Sequence, residues 1–415
     1  MSAPETSSYK MNIVVIGLGY VGLPLAVHAA ESGNNVLAFD ISVEKISKLR
    51  EGISHIGDIS SERVMKLQQA GKITFTSELV KQKEKTIFII AVPTPLDSDN
   101  SPDLTMLKRA CSLIASAVTD GCLIINESTS YIGTLRNLIK PIIAGNSNLD
   151  SLKYAVAPER IDPGNRKWFI KNTPRLISGL SEDAKKEAIA FYRQFCDEIH
   201  EVSTPEVAEA AKLFENTFRQ VNIALVNELA QIANKLNFST HETIMAAATK
   251  PFGFMPFYPS IGVGGHCIPV DPSYLSYSAE TVGIDARFIN LANDVNSSMP
   301  KIISERIKSD FNDSIVGKRI QIAGISYKSD ISDIRESPAL ELIDELVNLG
   351  AKVSWHDPFV NEYKGQHSVA LTSEIDLGLI VTPHSQIDFS IWKKASVRVL
   401  DLSANSNNYG WPKFI

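Results

Sequence analysis

Residues 11–24 read MNIVVIGLGYVGLP. MNIVVI is a short apolar run rich in β-branched residues, the composition of a strand buried on both faces of a parallel sheet. Gly17, Gly19 and Gly22 follow as G-x-G-x-x-G, and the chain then reads as a helix up to Gly33, which can serve as its C-cap. In a strand-turn-helix unit the first glycine permits a tight turn, the second lets backbone approach a pyrophosphate, and the third lets helix pack on strand. The helix N-terminus adds amide donors and the positive end of a dipole. A second strand, NVLAFD, ends on Asp40, placed to bind a ribose 2′-hydroxyl and to repel a 2′-phosphate. The pattern points to NAD rather than NADP. A bare turn with no ligand uses the same glycines, and the acid at position 40 is what separates the two readings.

Beyond this unit, TIFIIAVPTP and CLIINEST are two further strand-to-loop units with a helical pattern between them, so the sheet is parallel with helices on both faces. The far end of the chain repeats this opening. RIQIAGISY (319–327) matches NIVVIGLGY (12–20), with Gly324 where Gly17 stands. GAKVSWHD (350–357) matches GNNVLAFD (33–40), and LGLIVTPHS (377–385) echoes FIIAVPTPL (88–96). Ser326 occupies the position of Gly19, which argues against a second dinucleotide and leaves room for a different nucleotide. Between the copies the chain is helical. Thr204 is a candidate N-cap with Pro205 in the first helical position, and no breaker follows until about Asn237. That is about 33 residues, or about 50 Å of helix, enough to join two domains and to pack on a second subunit. STHE (239–242) offers a capping box for the next helix. The expected fold is α/β: two doubly wound Rossmann-like domains joined by a central helical segment with one long helix. The expected boundaries are 1–203, 204–300 (a helical dimerisation segment) and 301–415.

Bulk properties exclude several classes. A chain of 415 residues exceeds one ordinary core, and a formal charge of −6 without basic runs argues against a nucleic-acid partner. No apolar run approaches the ~20 residues that span a bilayer. MSAPETSSYK lacks the apolar region of a signal peptide. Cys111, Cys122, Cys196 and Cys267 show neither C-x-x-C spacing nor a disulfide framework, which suits a reducing cytoplasm. His266 and Cys267 have no spaced partner pair, so no metal site is expected.

Three polar sets stand out, each with two competing readings. Lys212, Asn216 and Arg219 lie at i, i+4 and i+7, one helical face among apolar residues. They read as a solvated stripe or as donors for a developing oxyanion; the amide is a poor salt-bridge partner, and Glu215 and Glu228 lie off the stripe. Glu159 sits between prolines in APERIDPGN, at an ordinary turn or in a site. YPSIGVGGHCIPVDPSYL (258–275) surrounds Cys267 with glycines, prolines and Asp271. Such a thiol is a packed free cysteine, or a nucleophile that traps an aldehyde as a thiohemiacetal, which hydride loss converts to a hydrolysable thioester.

VIGLGYVGLP, VPTP, APERIDPGN, KLFENTFRQVNIALVNELA, GVGGHCIPVDP and SYKSDISDIRESP together resemble the UDP-glucose/GDP-mannose dehydrogenase family, in order from about residue 11 to about residue 390. GGHCIPVDP and PER are similar to the branch acting on N-acetylhexosamines, and ATKPFGFMPFYP resembles bacterial UDP-N-acetylglucosamine 6-dehydrogenases. The resemblance implies an NAD domain, a C-terminal domain for the UDP-sugar and a central helix that forms a homodimer or higher oligomer. It implies four-electron oxidation of a sugar C6 alcohol to a carboxylate, with two NAD, for polysaccharide or glycan precursors. UDP-N-acetylglucosamine is the first expectation; UDP-glucose, UDP-N-acetylgalactosamine, UDP-N-acetylmannosamine and an idle binding protein are the alternatives.

Carried over by this resemblance, Cys267 is the nucleophile, Lys212 and Asn216 steady oxyanions, Asp271 and Thr129 hold the catalytic water, and Glu159 assists thioester hydrolysis. Cofactor contacts fall on Gly17, Leu18, Gly19, Tyr20, Val21, Gly22, Asp40, Lys45, Val92, Thr94, Thr129 and Arg335. Substrate contacts fall on Glu159, Arg160, Ile161, Lys212, Asn216, Arg219, Lys250, Tyr258, Gly262, Gly264, Tyr327 and Lys328. Two positions depart from the family pattern. UDP-glucose members have a second glutamate where this chain has Pro163, with Asp162 a possible substitute, and an arginine where this chain has Ser403, after Asp401-Leu402.

Overall fold

A computed structural model describes residues 10–97, 99–161, 165, 167–265, 268–404, 409–411 and 413–415. The chain forms two compact units, Met1–Phe214 and Glu215–Ile415. The first holds strands β1 (Asn12–Ile16), β2 (Asn35–Phe39), β3 (Ile73–Thr76), β4 (Thr86–Ile90), β5 (Leu123–Asn126), β6 (Lys153–Val156), β7 (Arg175–Gly179) and β8 (Ile199–Glu201). Its helices are α1 (Gly22–Glu31), α2 (Val43–Arg50), α3 (Ser61–Gln69), α4 (Thr105–Ala117), α5 (Lys140–Ser147) and α6 (Glu182–Tyr192), with a π-helical turn, Leu135–Ile139, running into α5.

The strands form one sheet in the order β3-β2-β1-β4-β5-β6-β7-β8, and every neighbouring pair is parallel except β6 and β7. Ile13 and Val15 of β1 enter one apolar layer, Val14 and Ile16 the other, which is why the strand reads as an unbroken apolar run rather than an alternation. The order reverses between β1 and β4, so the loops leaving the carboxyl ends of β1, β4, β5 and β6 border the crevice where such sheets bind ligands. Helix α1 ends as its sequence suggests. Gly33 adopts a left-handed φ of 97°, its amide donates to Ala30 O, and the Asn34 amide donates to Ala29 O, a Schellman closure.

Helix α7 (Pro205–Leu236) starts where Thr204 and Pro205 place it, with Thr204 Oγ1 accepting from the Val207 amide at 3.4 Å, and Asn237 follows it with a φ of 59°. The boundary between the two units falls inside this helix. The second unit continues with α8 (Thr240–Ala247), capped by Ser239 Oγ on the Glu242 amide, then α9 (Asp271–Glu280) and α10 (Arg287–Ser309). Its strands are β9 (Arg319–Ala323), β10 (Lys352–His356), a small ribbon of β11 (Glu362–Tyr363) and β12 (Gln366–His367), then β13 (Leu377–Ile380) and β14 (Val399–Asp401). Helices α11 (Pro338–Asn348) and α12 (Ser390–Lys394) complete it. The four long strands pair in parallel in the order β10-β9-β13-β14, so both ends of the chain are doubly wound α/β sheets. Among the described residues, no helix is long and apolar enough to cross a membrane.

Candidate active site

In the first unit the three glycines of the opening turn have three distinct environments. Gly17 has φ 93°, and a Cβ there would sit 2.4 Å from Ala91 O; at Gly22 it would sit 1.8 Å from Gly17 O. A Cβ at Gly19 would meet nothing within 4 Å. Two glycines are thus required by the turn itself, and the third leaves open space at the start of α1, which fits a pyrophosphate approaching backbone. Leu18 is buried, and Tyr20 and Val21 complete the turn.

Asp40 follows β2 and is buried. Its Oδ2 accepts from the Leu18 amide at 2.9 Å and from Lys45 Nζ at 2.7 Å, and its Oδ1 accepts from the Ser42 amide at 2.9 Å. Burial works against its charge, but the lysine and the two amides outweigh it and hold the carboxyl below its usual range. Lys45 therefore stands beside the acid expected at the ribose.

The neighbouring loops are stitched into register. Ser128 Oγ accepts from the Val92 amide and donates to Val92 O, both at 2.9 Å, and Asn126 Nδ2 donates to Ser128 O at 3.1 Å. Thr94 is buried and Thr129 half-buried on the two loops so joined. At the end of β6, Glu159 Oε1 accepts from the amides of Arg160 and Ile161 at 2.6 Å each, and its Oε2 meets Arg175 Nη2 at 2.9 Å. Arg175 also holds Glu127 Oε1 at 2.8 Å and lies over the Tyr192 ring, whose hydroxyl donates to the same Glu127 oxygen. Two carboxylates thus share one buried guanidinium. Burial pushes the Glu127 carboxyl up, while Arg175 and the two amides outweigh burial at Glu159 and hold it down. Lys212 is buried on α7.

In the second unit Asn216 Nδ2 donates to Asp271 Oδ2 at 2.5 Å, and Asp271 is the buried first residue of α9, where a helix dipole favours its charge. Gly262, Gly264 and Gly265 have a local reason to be glycine. A Cβ at Gly264 or Gly265 would fall within 2.8 or 2.7 Å of the Tyr327 side chain, and one at Gly262 within 3.0 Å of Asn296 O. The loop needs its glycines to lie against Tyr327. Arg335 pairs in bidentate fashion with Asp333, at 2.9 and 2.6 Å, and Tyr258 stacks on His241. Lys250 and Arg219 are exposed, with Lys250 Nζ 4.9 Å from the Phe252 ring centroid, and Lys328 is half-buried. His266, Cys267, Asp162 and Pro163 lie outside the described residues. An open cavity of about 460 Å³ in this unit, lined by Asn234, Phe238, His241, Arg306, Trp411 and Phe414 among others, contains none of the anticipated residues.

The internal repeat is visible bond by bond. Gly324 has φ 83°, its amide donates to His356 O as Gly17 donates to Phe39 O, and a Cβ there would sit 1.8 Å from Thr382 O. Asp357 Oδ2 accepts from the Ile325 amide at 2.8 Å as Asp40 accepts from Leu18. The copies differ at the cradle. Ser326 Oγ and His384 Nε2 are 3.2 Å apart, both residues are buried, and His384 Nε2 also reaches Asp357 Oδ2 at 2.9 Å, so side chains fill what Gly19 leaves open.

Sequence reading missed Glu127, Arg175, Tyr192, Glu209 and Asn227. Asn227, buried on α7, accepts from the Ser260 amide at 2.8 Å and donates to Asn296 Oδ1 at 2.9 Å, which anchors the start of the glycine loop. The signal for it was a run of amides on one helix, Asn216, Gln220 and Asn227.

Three successive segments match the UDP-glucose/GDP-mannose dehydrogenase family: its NAD binding domain over residues 11–196, its central domain over 206–298 and its UDP binding domain over 321–404. The chain is 34% identical over 393 residues to a UDP-N-acetyl-D-glucosamine 6-dehydrogenase of Salmonella typhi, covering 91% of each chain. It is 34% identical over 369 residues to one of Pseudomonas aeruginosa, covering 87% of this chain and 86% of the relative. A solved UDP-D-ManNAc dehydrogenase from Pyrococcus horikoshii superposes with a TM-score of 0.86 at 33% identity over 97% of both chains.

Proposed function

Because the chain belongs to the UDP-glucose/GDP-mannose dehydrogenase family, a family of NAD-dependent nucleotide-sugar dehydrogenases, we propose that it oxidises the C6 alcohol of UDP-N-acetylglucosamine to the uronic acid. The observation that carries the cofactor side is the open space at Gly19 beside the latched Asp40. The choice of sugar is supported by the Pseudomonas and Salmonella relatives. UDP-N-acetylmannosamine is the second reading, because the Pyrococcus horikoshii UDP-N-acetyl-D-mannosamine dehydrogenase is also 34% identical, over 92% of both chains.

NAD, when bound, accepts a hydride in each of two steps. The chain's own residues do the rest. Asp40 orients the adenosine ribose and discriminates against a 2′-phosphate. Lys212 and Asn216 stabilise the oxyanion at C6 as each hydride leaves. The Cys267 thiolate adds to the aldehyde carbon, and loss of the second hydride leaves a thioester. Asp271 and Thr129 hold the water that cleaves it, releasing the carboxylate and restoring the thiolate. Overall one alcohol, two NAD and one water become one carboxylate, two NADH and three protons. The other three thiols support this assignment: Cys111, Cys122 and Cys196 are buried, and burial pushes Cys111 up to about 12 and Cys196 up to about 11. We further propose that the protein works in the cytoplasm as a homodimer or higher oligomer built on α7, whose Phe214, Phe218, Leu225 and Ile232 are exposed.

The test is NADH formation with UDP-N-acetylglucosamine, UDP-N-acetylmannosamine, UDP-N-acetylgalactosamine and UDP-glucose. The expected result is the highest kcat/KM with UDP-N-acetylglucosamine and two NADH per sugar. Binding without turnover of any of the four would make the protein an idle binder, and a preference for the mannosamine sugar would move the assignment to the second reading.

A further inference from the structure

Glu209 is a carboxylate on α7, 3% exposed, whose Oε2 accepts from the Gly133 amide at 2.6 Å and whose Oε1 accepts from the Leu135 amide at 3.0 Å. The partners belong to another element. They open the π-helical turn Leu135–Ile139, and a carboxylate set against the first amides of a helix gains from both hydrogen bonds and dipole. A solvent-exposed ion pair, Arg136 Nε to Glu206 Oε1 at 2.7 Å, joins the same two elements at the surface, where such a pair contributes little. The segment so held is the loop leaving β5. Its near end is pinned to the sheet by Ser128 on Val92 and by Asn126 on Ser128 O. Its far end is pinned to α7 by Glu209. Thr129 lies between the two anchors, and Lys212 lies three residues beyond Glu209, on the same side of the helix.

We propose that Glu209 is a positioning residue that fastens the Thr129 loop to the helix carrying Lys212, so that the water-holding hydroxyl and the oxyanion lysine keep one register. This rests on the roles given above to Thr129 and Lys212. Although Arg136 is nearby, Glu209 commits both oxygens to backbone amides of the loop, so its anchor acts on the loop's backbone directly. A π-helical turn at that point fits, since such turns recur beside functional sites.

The experiment compares Glu209→Gln, Thr129→Ala, the double variant and Arg136→Ala in the full-length protein. Glutamine can accept from one amide but turns an N–H toward the other. Glu209→Gln should lower kcat at least tenfold and leave KM for the UDP-sugar within about threefold, with a Kd for NAD, read by calorimetry, weakened several-fold. In the Thr129→Ala background the same change should cost much less, because a positioning residue acts through what it positions. Arg136→Ala should change kcat less than twofold. A folded Glu209→Gln protein with wild-type kcat and NAD affinity, or with equal losses in both backgrounds, overturns the proposal. If glutamine does not fold, Glu209→Asp keeps the charge and withdraws it by one methylene, and the same comparisons apply. Should no UDP-sugar be turned over by the wild type, the functional reading fails by itself; NAD affinity and amide exchange at Gly133 and Leu135, faster in the variant if the clamp is real and unchanged if it is not, still decide the clamp.

Discussion

At Gly19 an added methyl group would touch nothing within 4 Å, whereas at Gly22 it would sit 1.8 Å from a backbone oxygen. The two alanine variants should therefore part company. Gly22→Ala is expected to cost about 3 kcal/mol or more through overpacking, seen as a lower Tm with or without NAD. Gly19→Ala should keep its Tm and lose at least tenfold in NAD affinity by calorimetry, because the methyl would enter the space proposed above for the pyrophosphate. Asp40 gives a second test. Its removal leaves Lys45 without that carboxylate beside the proposed ribose position, so Asp40→Ser should raise the ratio of NADP to NAD kcat/KM at least tenfold, about 1.4 kcal/mol. An unchanged ratio would detach Asp40 from the ribose. Glu209 supplies a pH signature. Burial pushes its carboxyl up to about 7 in the folded chain, against the pull of the Leu135 and Gly133 amides, with Glu206 raising it and Arg136 lowering it. The folded state thus holds this proton more tightly than the unfolded chain does. Its stabilising contribution is complete below the ordinary carboxylate range and is lost as pH rises to about 7. The drop in Tm from about pH 5.5 to about pH 8 should shrink in Glu209→Gln; an equal drop in both proteins would remove the assignment.

On the scale of single elements, α7 reaches the rest of the second unit through side-chain amides, Asn216 on Asp271 and Asn227 on Ser260 and Asn296. Asn227→Ala leaves the Ser260 amide and Asn296 without their partner and should cost about 1–3 kcal/mol, with a lower Tm and a raised KM for the UDP-sugar as the loop after Tyr258 loosens. A raised KM without loss of Tm would mean that the residue touches substrate instead. Elements of this kind differ in how far their sequence announces them. The opening strand, its glycine turn, the Gly33 closure, the start of α7 at Thr204-Pro205 and the Ser239 cap were all legible, because each depends on residues within a few positions of one another. The pairing of Glu127, Arg175, Glu159 and Tyr192 was not legible, since it joins four elements up to 65 positions apart and no local period encodes it. The glycines of 262–265 were legible as a demand for space, but their neighbour Tyr327 lies more than sixty positions away, so what fills that space could not be read from the loop alone. Strands β7 and β8 escaped for a different reason. β8 has only three residues, and β7 runs antiparallel to β6, against the parallel order that alternating strands and helices imply.

For the whole molecule, the boundary between the units falls within α7 and not in a loop. Proteolysis under native conditions should therefore spare residues 205–236, and an early dominant cut inside them would show that the helix opens. The internal repeat is the other feature of this scale. The second copy retains the left-handed glycine at 324 and the latch acid at 357 although Ser326 and His384 have taken over the cradle. Latch and cradle are separable traits, then, and the latch is kept for the backbone it shapes. The bond that sets the backbone is thus uncoupled from the surface that would meet a ligand, so side chains at the cradle can be exchanged without loosening the strand-turn-acid scaffold.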